Sequence, residues 1–153
     1  MQALKRIKKE LEFINKDDEF PEYIVYGPID ANNMFDWEAT IIGPENSPYE
    51  GGILELSITF PKDFPFKPPK VAFKTPIIHP NVCLYNSSDV IKCTCAGICL
   101  DILHNRYSPS ITLKDILLDI YNLLAKPSFQ EYYILNSEYS ESKAREWTEK
   151  YAK

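Results

Sequence analysis

Apolar residues recur at Leu4, Ile7, Leu11 and Ile14, with Lys5, Arg6, Lys8 and Lys9 set around them. Spacing of three and four residues marks one face of a helix, so a first amphipathic helix is predicted from about Gln2 to Lys16, ended by Asp17 and Asp18. The pattern then changes. Tyr23–Tyr26, Trp37–Ile42, Ile53–Phe60 and Lys70–Phe73 are rich in β-branched and aromatic residues and are set apart by turn formers, which predicts four strands. Asn46 to Gly52, carrying Pro48, Gly51 and Gly52, reads as the hairpin loop between the second and third. Pro61, Pro65, Pro68 and Pro69 exclude regular structure before the fourth strand, because each locks its own φ and restrains the residue before it.

Helical periodicity returns at Leu113, Ile116, Leu117, Ile120, Leu123 and Leu124, a wide apolar face that predicts a core helix from Leu113 to Leu124. Thr112 and Asp115 in front of it resemble a capping box, with Asp in place of the usual Glu or Gln, and Pro127 stands beyond it as a stop. A last helix, from about Ser140 to Tyr151, has Ala144, Trp147 and Tyr151 on one side. This order predicts an α+β fold: an N-terminal helix, a four-stranded antiparallel meander, a long irregular segment, a core helix packed on one face of the sheet and a C-terminal helix.

Composition narrows the classes. A chain of 153 residues that is 44% hydrophobic holds enough apolar surface for one core and reads as a single domain over 1–153. The longest apolar runs, such as Ile116 to Leu118, are far too short to span a bilayer, and no signal-peptide core follows the basic N-terminal stretch. A soluble intracellular protein is expected, cytoplasmic or also nuclear, without a membrane partner. A net charge of −5 argues against nucleic-acid binding, since tracking phosphates needs an excess of Lys and Arg.

All four cysteines lie between Cys83 and Cys99, as Cys83, Cys93, Cys95 and Cys99. So local a cluster cannot staple distant parts of a secreted scaffold. Its spacing of nine, one and three intervening residues lacks the paired C-x2-C knuckles of a structural zinc site, so neither a metal nor a cofactor is expected. The cluster by itself is open to a metal-binding or redox module, for which the spacing is a weak signal, and to a nucleophile with bystanders.

Several fragments then fall in a telling order. They are Leu4-Lys5-Arg6-Ile7, Met34-Phe35-Asp36-Trp37, Gly43-Pro44 through Ser47-Pro48-Tyr49-Glu50-Gly51-Gly52, and Phe60-Pro61 through Phe64-Pro65-Phe66-Lys67-Pro68-Pro69-Lys70-Val71. His79-Pro80-Asn81, Gly97-Ile98-Cys99-Leu100-Asp101-Ile102-Leu103, Tyr107-Ser108-Pro109-Ser110 and Ala144-Arg145-Glu146-Trp147 follow. Together they resemble the ubiquitin-conjugating enzyme family over nearly the whole chain. The resemblance implies the family's fold and an acyl carrier that takes ubiquitin or a ubiquitin-like protein from an activating enzyme. It would then pass the modifier to a ligase or to lysines of protein substrates.

The chemistry agrees with that implication. A thiolate both attacks and leaves a thioester readily, whereas serine would trap the product as an ester. Cys99 stands where the family's acceptor cysteine stands. By the same resemblance Asn81 supplies the neutral amide that stabilises the oxyanion, although an asparagine there also suits the tethering of an adjacent loop. Asp101 matches an acidic gate residue that orients the incoming amine, with a plain surface carboxylate as the competing view. The second gate residue has no clear Asp counterpart in Lys126-Pro127-Ser128-Phe129-Gln130-Glu131. His79 is expected to serve structure through its ring nitrogens and not as a base, and His104 has no assigned role.

Phe66 and the Ser108-Pro109-Ser110 loop match the two loops by which family members dock RING-type ligases, and Arg6 would complete that patch. The family usually has Trp where Tyr107 stands and Ala where Ser110 stands. The basic residues of the first helix resemble the face read by the activating enzyme, and Val25 occupies a place where some relatives carry Ser. A non-catalytic ubiquitin-binding variant of the same fold is the alternative function. Such variants lack the cysteine, and this chain keeps Cys99 and Asn81 together. The plainest departures are an insertion, Val82 to Ala96, before the nucleophile, and a shortened helical region after Leu124. Cys93 or Cys95 is near enough to Cys99 in sequence for an oxidative disulfide.

Overall fold

The computed structural model describes residues 2–16, 20–82, 98, 100–103, 106–129 and 139–153. The expected Asp17-Asp18 helix stop, nearly all of the insertion, the four cysteines, His104, Gln130 and Glu131 lie outside them.

The first predicted helix is α1 (Gln2–Lys16). Four strands follow, β1 (Ile24–Asp30), β2 (Asn33–Ile42), β3 (Ile53–Thr59) and β4 (Lys70–Phe73), and they pair antiparallel in the order β1-β2-β3-β4. This is the predicted meander, and two of its boundaries needed the structure. The predicted second strand began at Trp37, yet Asn33 to Asp36 also belong to β2 because the first hairpin closes tightly on Ala31 and Asn32, with Asp30 opposite Asn33. β1 correspondingly runs past Pro28, which the ladder tolerates because β1 is an edge strand with a register shift between Pro28 and Asp30.

Alternation along the strands divides the sheet into two faces. Ile24, Tyr26, Trp37, Ala39, Ile41, Leu54, Leu56, Ile58 and Val71 are buried, whereas Val25, Glu38, Ile42, Ile53 and Glu55 are exposed. Ile7 of α1 joins the buried cluster. So do Ile116, Leu117, Ile120 and Leu124 of α2 (Leu113–Ala125). The capping box at its start forms in full: the Thr112 hydroxyl accepts from the Asp115 N–H at 3.2 Å, and the Thr112 N–H donates to the Asp115 carboxylate at 2.9 Å. Aspartate is long enough for the reciprocal bond.

The last helix, α3 (Glu141–Tyr151), is capped by Ser140, whose hydroxyl accepts from the Lys143 N–H. Its buried face differs from the predicted one: Ala144 and Thr148 are enclosed, while Tyr151 is 42% exposed and lies edge-on to Trp147. Thr148 is tolerated inside because its hydroxyl donates back to the Ala144 carbonyl at 2.8 Å. Beyond α3, the Ala152 carbonyl accepts from the Ile53 N–H, seating the chain end against the start of β3. No helix among the described residues is long and apolar enough to cross a membrane.

One loop leads to the site. In the β2–β3 connection a Cβ on Gly43 would stand 1.7 Å from the Tyr49 carbonyl oxygen, so only glycine fits there. That close approach buries Tyr49, whose hydroxyl donates to the Ile78 carbonyl at 2.5 Å.

Candidate active site

After β4 the chain runs without regular structure through a buried stretch that includes Thr75, Ile77, Ile78, His79, Asn81 and Val82. Buried backbone groups need partners, and side chains provide many of them here. The Thr75 hydroxyl accepts from the Glu55 N–H, Tyr49 reaches the Ile78 carbonyl, and the His79 Nδ1 accepts from the Asn81 N–H at 3.0 Å. The Nε2 of His79 lies 2.8 Å from the Leu123 carbonyl in α2. A carbonyl only accepts, so Nε2 carries the ring proton and Nδ1 does not. Both nitrogens are thus spent on backbone, the structural role expected of this histidine.

Burial holds His79 well below the ordinary imidazole range, at about 4, against a smaller opposing pull from the Leu123 carbonyl. A group kept neutral in the fold protonates more easily once unfolded. Stability attributable to His79 is therefore fully present above pH 6.5 and falls as the pH drops from 6.5 towards 4. At 1.36 kcal/mol per unit the loss is on the order of 3 kcal/mol. Glu10, whose carboxyl burial pushes upward, titrates in the opposite sense, so the component is read against a His79→Gln variant. Urea midpoints at pH 7, 6, 5 and 4 should fall more steeply for the wild type; parallel curves would refute the assignment.

Asn81 is fully buried. Its Nδ2 donates to the Ser128 carbonyl at 2.8 Å and its Oδ1 accepts from the Ser128 N–H at 2.8 Å. This two-bond pairing fixes the orientation of the amide and ties the segment after α2 to the His79-Pro80-Asn81 turn, the loop-tethering task open to it from sequence. It also sets Phe129, 64% exposed, beside the tether. Val82 forms an antiparallel bridge with Ile98. Cys99 itself lies outside the described residues, but both of its sequence neighbours, Ile98 and Leu100, are buried. Asp101 opens a 3-10 turn, Asp101–Leu103, and its side chain is likewise outside the description.

The second predicted group of residues is brought together. Phe66 is 66% exposed in the proline-rich loop, and Pro109 is exposed in the other. The Tyr107 hydroxyl donates to the Pro65 carbonyl at 2.6 Å, joining the two loops. A hydroxyl thus gives this chain a direct bond between the two loops. Arg6 is committed inward, with one guanidinium nitrogen 2.6 Å from the Pro109 carbonyl and another 3.2 Å from that of Ile111. Sequence reasoning missed Glu10 and Ser128. The four-residue spacing of Arg6 and Glu10 was visible as a helical ion pair, whereas Ser128 acts through its backbone and left no signal.

A family model described as ubiquitin-conjugating enzyme matches residues 6–153. Among solved structures, the chain is similar to the E2 domain of a ubiquitin conjugating enzyme from Toxoplasma gondii, with 30% identity and a TM-score of 0.74, covering 98% of this chain and 99% of that one.

Proposed function

Since the chain belongs to the ubiquitin-conjugating enzyme family, we propose that it is an active carrier that receives ubiquitin or a ubiquitin-like protein from an activating enzyme as a thioester on Cys99. It then hands the modifier to a ligase or to a lysine of a protein substrate. The observation that carries this reading is Asn81, buried and held by two bonds to Ser128, one residue before the Val82–Ile98 bridge that leads to Cys99. A pre-aimed neutral amide suits a tetrahedral intermediate, which develops negative charge on oxygen. Asp101, just past the nucleophile, orients the incoming amine.

The test is a charging reaction with activating enzyme, ATP and candidate modifiers, read on a non-reducing gel. A band that appears with one modifier and vanishes with thiol reductant is expected. No adduct with any modifier would favour a ubiquitin-binding protein that has the fold without the chemistry.

We place ligase docking on Phe66, Ser108 and Pro109, with Arg6 behind them as the support of the loop through the Pro109 and Ile111 carbonyls. An exposed aromatic beside a rigid proline is a typical anchor of a small interface. Phe66→Ala or Pro109→Ala should slow RING-stimulated discharge about tenfold, at 1.4 kcal/mol of lost interface energy, and should spare charging. Equal loss of both steps would assign the surface a different task.

A further inference from the structure

Glu10 has no part in the chemistry above, yet its side chain is fully buried. A carboxylate in that position is costly unless it is paired and hydrogen-bonded. One oxygen accepts from Arg6 Nε at 3.2 Å; the other accepts from the Leu113 N–H at 3.2 Å, at the first residue of α2. Arg6 in turn donates to the carbonyls of Pro109 and Ile111, and Tyr107 is bound to Pro65. The loop from Tyr107 to Leu113 is therefore gripped at every second residue. Tyr107, Pro109, Ile111 and Leu113 each bond to another part of the fold, while Pro109's ring and Ser110 remain exposed.

We propose that Glu10 is the positioning residue of the docking loop: it holds the Arg6 fork and the start of α2, and the fork holds residues 108–111 for a RING-type ligase. The inference rests on reading that loop as the docking surface. A planar guanidinium serves Glu10, Pro109 and Ile111 at once because its donors diverge in a fixed fork, which a single ammonium cannot reproduce. The exposed part of the loop offers a partner only Pro109 and Ser110. So small a contact contributes to affinity only if the loop is ordered beforehand, because otherwise binding carries the entropy of ordering it. α1 thereby acts on ligase binding through a residue that no ligase can touch.

The test uses pre-charged protein, so that charging does not enter, and a RING domain that accelerates discharge of the wild-type conjugate. Glu10→Gln keeps an acceptor for the Leu113 N–H, and Arg6→Lys keeps a cation beside Glu10. Each should raise the KM for the RING domain roughly tenfold, the effect of about one lost hydrogen bond, with kcat at saturating RING domain preserved. The double variant should be no worse than either single one, because both break one device. Amide hydrogen exchange in residues 107–112 should quicken in both variants while the β2–β3 ladder is unchanged; this readout needs no ligase. Unchanged KM and exchange in Arg6→Lys would overturn the proposal even if Glu10→Gln failed to fold. Additive effects would overturn it too, by making Arg6 a direct contact. A raised KM for Phe66→Ala alone would leave docking standing and refute the clamp, whereas no effect of Phe66→Ala would remove the docking reading and the clamp with it.

Discussion

Cys99→Ala should abolish the reductant-labile adduct completely, and Cys99→Ser should give at most an adduct that survives thiol. On the proposed function the first bond formed on the wild type is a thioester, which exchanges with small thiols, and the serine product would be an oxyester, which does not. The incoming modifier is already an activated acyl group, so the sulfur needs no dedicated base. A deeply lowered pKa would even weaken it, since nucleophilicity falls with pKa. The measurement is a charging gel run with and without reductant for wild type and both variants. A reductant-labile band in Cys99→Ala would move the nucleophile to Cys83, Cys93 or Cys95.

Asn81→Ala should slow discharge to lysine by about 10²- to 10³-fold, the range for loss of one oxyanion donor, and should slow charging less. Amine attack builds more oxyanion charge than exchange between thiolates does. The structure attaches a second consequence to the same change. Without the amide, the Ser128 N–H and carbonyl lose their partners, and each unsatisfied group costs about 1–3 kcal/mol. Single-turnover discharge must therefore be measured well below the variant's melting temperature. Asn81→Asp keeps the acceptor for the Ser128 N–H but sets a negative charge where the oxyanion forms, and it should discharge as slowly as the alanine variant. Lowered stability with an unchanged discharge rate in both would leave Asn81 as a loop tether alone.

These two predictions drew on the sequence unequally. Cys99 could be singled out because its neighbours form a recognisable string, and thiol chemistry belongs to the residue itself. Asn81 could be singled out too, but its bond to the backbone of Ser128, 47 positions away, could not. Backbone donors look alike in every residue. The Thr112–Asp115 cap was legible because its partners are three residues apart and its geometry is local. The buried face of α3 was misjudged at Tyr151 and Thr148 because hydrophobicity alone ranks tyrosine above threonine for the core. An i−4 hydroxyl bond reverses that order.

The sequence by itself determined the order of the elements, the inward side of the strands and of α2, and the residue types able to carry an acyl group. All of these depend on periodicity and side-chain chemistry within a few residues. Only the tertiary structure decided that Arg6 turns inward to Pro109 and Ile111, and that Glu10 closes on Leu113 across 103 residues. A charge on a helix surface reads the same whether it meets water or a carbonyl more than a hundred residues along the chain, and the seating of α1 against the loop before α2 settles which.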